Sequence, residues 1–160
     1  MQKLKQNTVV KIYETFETQK YLIIIIEYIS GGDLLSYVKK RNKLTEPVAK
    51  YIFRQIITSL DYTHNQYIIH RDIKLDNILL DIHGNIKICD FGVSKQVKSK
   101  KEIMYDQCGT PAYIAPEILL GNGYEGPPVD FWSAVGRRDL ALCLCHAHHL
   151  GGRSGVHLLH

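Results

Sequence analysis

A short hairpin with polar side chains at its open end is the feature that most constrains this chain. The runs "NILL" and "NIKIC" are apolar and rich in strand formers, and "DIHGN" between them has the composition of a turn. "HRDIKLDN" leads into the first run, and "DFG" follows the second. Because a hairpin brings its two ends together, we expect Asn77 and Asp90 to lie near each other. The chemistry of the protein is therefore predicted at this end of the hairpin.

Other elements follow from periodicity and capping. "TVVKIYETFET" and "KYLIIIIEYI" predict two antiparallel strands, and the run "YLIIIIEY" has the composition of a buried strand. "SGGDLLSYVKK" predicts a short helix capped by Asp33, and "VDFWSA" predicts the start of a buried helix. Residues 91–116 show no periodicity and predict a long loop. "TEPVAKYIFRQIITSLDYTHNQ" predicts the longest helix, with Thr45 as its N-cap. Its apolar residues recur every four positions: Val48, Ile52, Ile56 and Leu60.

Composition narrows the class of protein. The 160 residues are 45% hydrophobic and 22% charged, which is typical of one globular domain. A net charge of +4, spread along the chain, does not favour a nucleic acid partner. The longest apolar run is too short to cross a membrane, and residues 1–11 do not resemble a signal peptide. The four cysteines lack the spacing of a disulfide framework. We therefore predict an intracellular, cytoplasmic protein, and composition does not indicate its oligomeric state.

The composition changes abruptly after residue 136. Residues 137–160 contain no Ile, Lys, Asn, Tyr or Phe, yet they hold five of the eight histidines. This segment is either a separate, unstructured tail or the product of a shifted reading frame, and we favour the second explanation. Its "CLCHAHH" stretch carries residue types that bind zinc, but the spacing fits no usual zinc finger. We do not expect a metal site there.

The polar residues around the hairpin suggest phosphate chemistry. The carboxylate and amide oxygens of Asn77 and Asp90 suit a Mg²⁺ ion shared with phosphate groups. Asp72 would be close enough to accept a hydroxyl proton, and Lys74 to neutralise charge on a phosphoryl group. The alternative is that all four are ordinary turn residues, because Asp and Asn are common in turns.

Three motifs in order favour the first interpretation. "HRDIKLDN" is followed by "DFG", which begins thirteen residues beyond Asn77, and then by "GTPAYIAPE". From Leu4 to Ala134 the chain resembles the catalytic domain of a eukaryotic Ser/Thr protein kinase, in style a calmodulin-dependent kinase-like one. The resemblance implies a partial α+β protein kinase-like fold over residues 1–136. Residues 1–28 would be the end of the small lobe, and residues 29–136 the first half of the mainly helical large lobe.

The resemblance assigns roles in phosphoryl transfer to five residues. It implies that Asp72 is the catalytic base and that Lys74 contacts the γ-phosphate of ATP. Thr110 would bond to both of them and shape the site for the substrate hydroxyl. Asn77 and Asp90 would hold Mg²⁺.

The resemblance also implies an adenine site. The strand "IIIIEYI" would lead to the hinge between the lobes, with Ile26 as gatekeeper and with backbone groups of Glu27 and Ile29 meeting the adenine edge. Leu79 would form the floor under the ring. Asp33 would lie near the ribose or near a basic residue of the substrate.

Two further acidic residues have expected partners. Asp130 would anchor the catalytic loop. Asp106 occupies a position where related kinases often carry a phosphorylated residue, and we hypothesise that it pairs with Arg71 and loosens the need for phosphorylation. The alternative is a solvent-exposed loop carboxylate without such a role.

These assignments imply an ATP-dependent kinase that uses Mg²⁺ and transfers a phosphoryl group to a Ser or Thr hydroxyl of a protein substrate. A working kinase also needs a Gly-rich phosphate loop, a strand Lys and a helix Glu. We expect none of the three anywhere in this chain. The alternative function is therefore an inactive kinase fragment or a pseudokinase-like binding module.

Overall fold

The computed structural model describes residues 4–135 of the 160-residue chain, so the predictions for residues 137–160, including the zinc stretch, lie outside it. Four α-helices occur in this part: α1 (Leu34–Arg41), α2 (Glu46–Asn65), α3 (Pro116–Leu120) and α4 (Gly126–Val135). The strands are β1 (Ile12–Glu17), β2 (Leu22–Ile26), β3 (Ile68–Ile69), β4 (Ile78–Leu80), β5 (Ile86–Ile88), β6 (Lys95–Gln96), β7 (Ile103–Met104) and β8 (Tyr124–Glu125). A single 3₁₀ turn, Leu75–Asn77, leads into β4.

The predicted hairpin is confirmed. Strands β4 and β5 pair antiparallel, with Ile78 opposite Ile88 and Leu80 opposite Ile86. These four side chains are buried, whereas the central residues of both strands are only partly buried. The buried face of the hairpin joins the main apolar cluster. Helix α2 contributes three of the four residues of its predicted apolar row to this cluster: Ile52, Ile56 and Leu60. Packing against the long helix therefore fixes the hairpin whose open end carries the polar residues.

Both predicted N-cap residues occupy that position, but only one of them caps its helix with a side-chain hydrogen bond. The Asp33 carboxylate accepts hydrogen bonds from Ser36 N at 2.7 Å and from Ser36 Oγ at 2.8 Å, which confirms it as the N-cap of α1. Thr45 occupies the N-cap position of α2, but its side chain makes no capping bond. Helix α4 begins at Gly126, three residues before the predicted start at Val129, because two prolines are tolerated in a first turn.

Two sequence predictions were wrong: the burial of β2 and the absence of regular structure from residues 91–116. β1 and β2 do pair, but all residues of Leu22–Ile26 are exposed, by 42% or more. Among residues 4–135 no other strand pairs with this two-stranded sheet, so composition alone overstated its burial. Residues 91–116 contain two short strands, because β6 pairs with β3 and β7 pairs with β8. Strands of two residues are too short to show a period.

Within the described part of the chain, none of the helices has both the length and the apolar character that a membrane span requires.

The apolar row of α2 provides a stability test, because its members are buried to different extents. Ile56 is fully buried, whereas Val48 is 37% exposed. We expect Ile56→Ala to lower the free energy of unfolding by about 2–5 kcal/mol, through lost contacts and a cavity. Val48→Ala, the control in the same row, should cost about 1 kcal/mol or less. Urea unfolding of the 160-residue chain, followed by far-ultraviolet circular dichroism, measures both, and equal losses would contradict the packing described.

Candidate active site

A buried carboxylate on α4 holds the loop that enters the hairpin. Asp130 accepts hydrogen bonds from His70 N at 2.9 Å and from Arg71 N at 2.7 Å, and His64 Nε2 lies 2.8 Å from its Oδ2. Arg71 has a positive φ of 70°, a conformation that non-glycine residues adopt at a cost. The two consecutive N–H groups held by Asp130 stabilise this conformation. The anchoring contact that the resemblance implied is therefore present.

His70 links the loop to the far strand of the hairpin. Its Nδ1 accepts a hydrogen bond from Asp72 N at 3.2 Å, so Nε2 carries the proton and donates to the carbonyl oxygen of Cys89 at 3.0 Å. Burial lowers the pKa of His70, which keeps the imidazole neutral and maintains this tautomer. The ring also packs against Phe91, with centroids 4.6 Å apart. Sequence reasoning missed this role of His70, because its contacts with Cys89 and Phe91 are with groups that only the fold brings near.

Asp72, Lys74 and Thr110 form one network. Lys74 Nζ donates to Asp72 Oδ2 at 2.8 Å and to Thr110 Oγ1 at 2.9 Å. Thr110 donates to Asp72 Oδ1 twice, from its backbone N at 2.8 Å and from Oγ1 at 2.6 Å. The contacts expected of Thr110 are thus present. Thr110 bonds to Oδ1 and Lys74 bonds to Oδ2, so the carboxylate has a fixed orientation beside a cation.

The network sets the protonation states. Burial alone would raise the pKa of Asp72, but hydrogen bonds from Lys74 and Thr110 outweigh it and hold this pKa below its ordinary value. The hydrogen bond to Asp72 likewise raises the pKa of Lys74. At neutral pH Asp72 is therefore an anion and Lys74 a cation.

Asn77 and Asp90 lie at the two strand ends, as predicted. Asn77 Nδ2 donates to the backbone oxygen of Asp72 at 2.9 Å and to its Oδ2 at 3.1 Å, which leaves Asn77 Oδ1 as the atom suited to a metal. Cys89 N donates to the Asn77 carbonyl at 2.9 Å. This hydrogen bond joins Asn77 to the residue that directly precedes Asp90. Asp90 is exposed and has a positive φ of 57°.

The donor set at the hairpin end suits a metal shared with a ligand. Among residues 4–135 no group of three or more His, Cys, Asp or Glu side chains forms a complete protein cage. An amide oxygen and an exposed carboxylate instead match Mg²⁺, which keeps several positions for water or phosphate oxygens. The residues present therefore fit the ion that the sequence predicted.

The hinge residues are positioned by side chains that the sequence did not identify. The Glu27 carboxylate accepts hydrogen bonds from Lys87 Nζ at 2.8 Å and from Lys11 N at 2.7 Å. Burial would raise the pKa of Glu27, but the bond from Lys87 outweighs it and lowers this pKa. Glu27 N donates to the Lys11 carbonyl at 3.0 Å. The backbone N–H and Oε1 of Glu27 are thus already bonded, while Ile26 is 48% exposed and Ile29 is partly buried.

Asp33 and Leu79 lie side by side. They form an isolated antiparallel bridge, and Leu80 N donates to the Gly32 carbonyl at 2.8 Å. The N–H of Ser36 lowers the pKa of Asp33 by bonding to its carboxylate, so this carboxylate is already engaged as a helix cap. The structure therefore brings the start of α1 to the strand that follows Asn77, as a floor for the hinge requires.

Asp106 forms the ion pair that was hypothesised. Its Oδ2 lies 3.2 Å from Arg71 Nη1 and 2.7 Å from Lys95 Nζ. Lys95 and then Arg71 lower the pKa of Asp106. Arg71 also donates from Nε to the Val93 carbonyl at 2.7 Å. One exposed carboxylate thus joins the catalytic loop, β6 and the segment before Thr110, and the partner Lys95 was not foreseen.

One stretch that sequence analysis passed over does have the spacing G-x-G-x-x-G. It is "GNGYEG", with Gly121, Gly123 and Gly126. A phosphate loop follows a strand and covers the nucleotide. Here Gly121 instead ends α3 in a left-handed conformation, and Gly126 begins α4 where a Cβ would collide with the Ile69 side chain. The glycines therefore serve a helix end and a close packing contact.

Comparison with known proteins agrees with this geometry. The protein kinase domain family matches residues 1–136. NUAK family SNF1-like kinase 2 from Homo sapiens is 44% identical over 133 residues, which cover 83% of this chain and 21% of the relative. CBL-interacting protein kinase 15 from Oryza sativa subsp. japonica is 41% identical over 135 residues, which cover 83% of this chain and 31% of the relative. The chain thus spans about a fifth to a third of the length of these relatives. The chain belongs to the protein kinase family.

Proposed function

We propose that this chain forms the phosphoryl-transfer centre of an ATP-dependent serine/threonine protein kinase. The observation that carries the proposal is the network of Asp72, Lys74 and Thr110, in which a carboxylate is kept ionised beside a cation and a hydroxyl. The kinases to which the chain is similar support it.

The mechanism follows from the charges at the hairpin end. Asp72 orients the hydroxyl of a Ser or Thr substrate and accepts its proton as the oxygen attacks the γ-phosphorus of ATP. The bond from the γ-phosphorus to the β,γ-bridging oxygen breaks in the same transfer, and ADP leaves. Lys74 stabilises the negative charge on the transferred group. Asn77 and Asp90 would hold Mg²⁺, which supplies further neutralisation of phosphate charge when bound. Thr110 keeps the carboxylate oriented during these events.

The adenine would meet the hinge through backbone groups. The carbonyl of Glu27 and backbone groups of Ile29 are the proposed contacts, with Ile26 at the back of the site and Leu79 beneath the ring. Asp33 lies next to Leu79, near the ribose or near a basic residue of the substrate.

A non-catalytic, nucleotide- or protein-binding module is the second candidate. In this case Mg-ATP or a partner would bind, but no phosphoryl group would be transferred.

The first prediction concerns the base. With radiolabelled ATP, Mg²⁺ and a Ser-containing peptide, we expect Asp72→Asn to reduce phosphate transfer by about 10²–10⁴-fold, because the amide cannot accept the proton. Asp76→Asn is the matched control, since Asp76 is exposed in the same loop and makes none of the hydrogen bonds that join Asp72, Lys74 and Thr110. A Tyr peptide should be a poor substrate. Equal transfer by Asp72→Asn and the native chain would refute the proposal, and Mg-ATP binding without any transfer by the native chain would favour the binding module.

A second prediction concerns the pKa of Asp72. Removal of the Thr110 hydroxyl deletes one of the bonds that hold this pKa down, so Thr110→Ala should raise it, whereas Thr110→Ser should leave it nearly unchanged. Because the native pKa is depressed, the carboxylate stabilises the fold above the ordinary Asp value, and this stability is lost as pH falls through the native pKa. Carbon-detected NMR titration of Asp72 in the 160-residue chain measures the shift. An unchanged pKa in Thr110→Ala would show that this bond does not control protonation.

We also propose that Asp106 replaces part of the charge of a phosphorylated residue. Its bonds to Arg71 and Lys95 support the idea that the loop is ordered without modification. Asp106→Asn should speed trypsin cleavage after Lys98, Lys100 and Lys101 about two- to fivefold, which is the size expected for exposed ion pairs. High salt should have the same effect on the native chain. Asp61→Asn, an exposed change on α2, is the control. Asp106→Thr should regain protection only when phosphorylated, and native cleavage rates in Asp106→Asn would contradict the proposal.

A further inference from the structure

A second concave site lies away from the catalytic network. A cavity of about 320 Å³ opens between the end of α1, the first turns of α2 and the turn that joins β4 to β5. Its volume falls in the range of ligand-binding pockets. The cavity is lined mainly by apolar and aromatic side chains, among them Tyr37, Val48, Tyr51, Ile52, Leu80 and His83.

The apolar row of α2 extends into this cavity. Ile52 and Ile56 are buried in the core, but Val48, one turn earlier in the same row, is 37% exposed. Tyr51 beside it is 52% exposed and is fixed by a hydrogen bond from its hydroxyl to Asn85 Oδ1 at 2.8 Å. The helix therefore presents apolar side chains, at positions with the spacing of core residues, to a space that no other part of residues 4–135 fills.

A basic segment adjoins Tyr37, one of the residues that line the cavity. The last turn of α1 contains Lys39, Lys40 and Arg41, and Lys43 follows it. Within residues 4–135 none of these four cations forms an ion pair with a carboxylate. The Arg41 guanidinium lies 3.7 Å from the centre of the Tyr37 ring, which also lines the cavity. Positive charge thus lies directly beside the apolar pocket.

The acidic groups on the same side of the molecule are already engaged. Asp81 in the hairpin turn accepts hydrogen bonds from His83 N and Asn85 N, each at 2.8 Å, and from Asn85 Nδ2 at 3.0 Å. Glu46 at the start of α2 pairs with Lys50. The cations at and just after the end of α1 are therefore available to bind the carboxylates of an external partner.

We propose that this cavity is a docking site for an acidic peptide segment that carries an aliphatic side chain. The aliphatic group would enter between Val48 and Leu80, and the carboxylates would face Lys40 and Lys43. Charge complementarity selects this occupant over a basic or neutral peptide. The site lies at the turn of the hairpin, whereas Asn77 and Asp90 lie at its open end, so a docked segment leaves the catalytic network free.

Fluorescence anisotropy of the 160-residue chain tests the proposal with a labelled peptide Glu-Glu-Asp-Leu-Glu-Leu. This probe has no hydroxyl group, so it cannot act as a kinase substrate. The control peptide carries asparagine in place of both leucines. We expect the Leu peptide to bind and the Asn peptide to bind at least tenfold more weakly. Equal affinities, or no binding of the Leu peptide at about 1 mM, would overturn the proposal.

Paired variants separate a local site from general attraction. Lys40→Glu with Lys43→Glu should weaken binding at least tenfold, whereas Lys98→Glu with Lys101→Glu makes the same change of charge on a distant loop and should weaken it less than twofold. Val48→Asp should abolish binding while circular dichroism stays native. Equal losses in the two charge-reversed chains would overturn the proposal. So would peptide-induced amide shifts in NMR spectra that fall on the catalytic loop rather than on Tyr37, Tyr51 and Gly84.

Discussion

The burial of the Asp130 carboxylate is the interaction on which the rest of the site depends. A fully buried carboxyl group is costly unless its oxygens accept hydrogen bonds. Here His64 and two consecutive backbone N–H groups supply these bonds, and sixty residues separate Asp130 from the first of those groups. The hydrogen bond from Arg71 N stabilises the left-handed conformation of Arg71. The next residue is Asp72. The position of the proposed base is therefore set by a helix far away in sequence.

From this anchor the constraint passes to the hairpin through neutral groups. His70 receives the Asp72 N–H on one nitrogen and donates to the Cys89 carbonyl with the other, so it adds no charge to the interior. Asn77 makes a second link between the same two residues, because it bonds to Asp72 by its side chain and to Cys89 by its backbone carbonyl. The base and the proposed metal ligands thus share one hydrogen-bonded frame, and a displacement of Asp72 would be transmitted to Asn77.

Sequence patterns predicted the parts of this frame that are local. The β4–β5 hairpin and the cap at Asp33 could be predicted because turn composition and capping act over a few residues. The kinase resemblance supplied the long-range contacts of Thr110 and Asp130, which no local pattern indicates. Burial was predicted less well. Apolar composition at Leu22–Ile26 and regular spacing at Val48 suggested core positions, but burial depends on whether another element covers the side chain.

The same distinction separates the side chains that react from those that hold shape. Asp33 and Glu27 were both expected at the nucleotide site, and both carboxylates are already engaged, one by a helix end and the other by Lys87 and Lys11. In the proposed function, adenine recognition therefore falls to the backbone of the hinge. Because Lys87 lies on β5, which continues to Asp90, the ion pair with Glu27 ties the hinge to the strand that carries a proposed metal ligand. Under the proposed function, one strand would therefore help to position both the nucleotide and the metal.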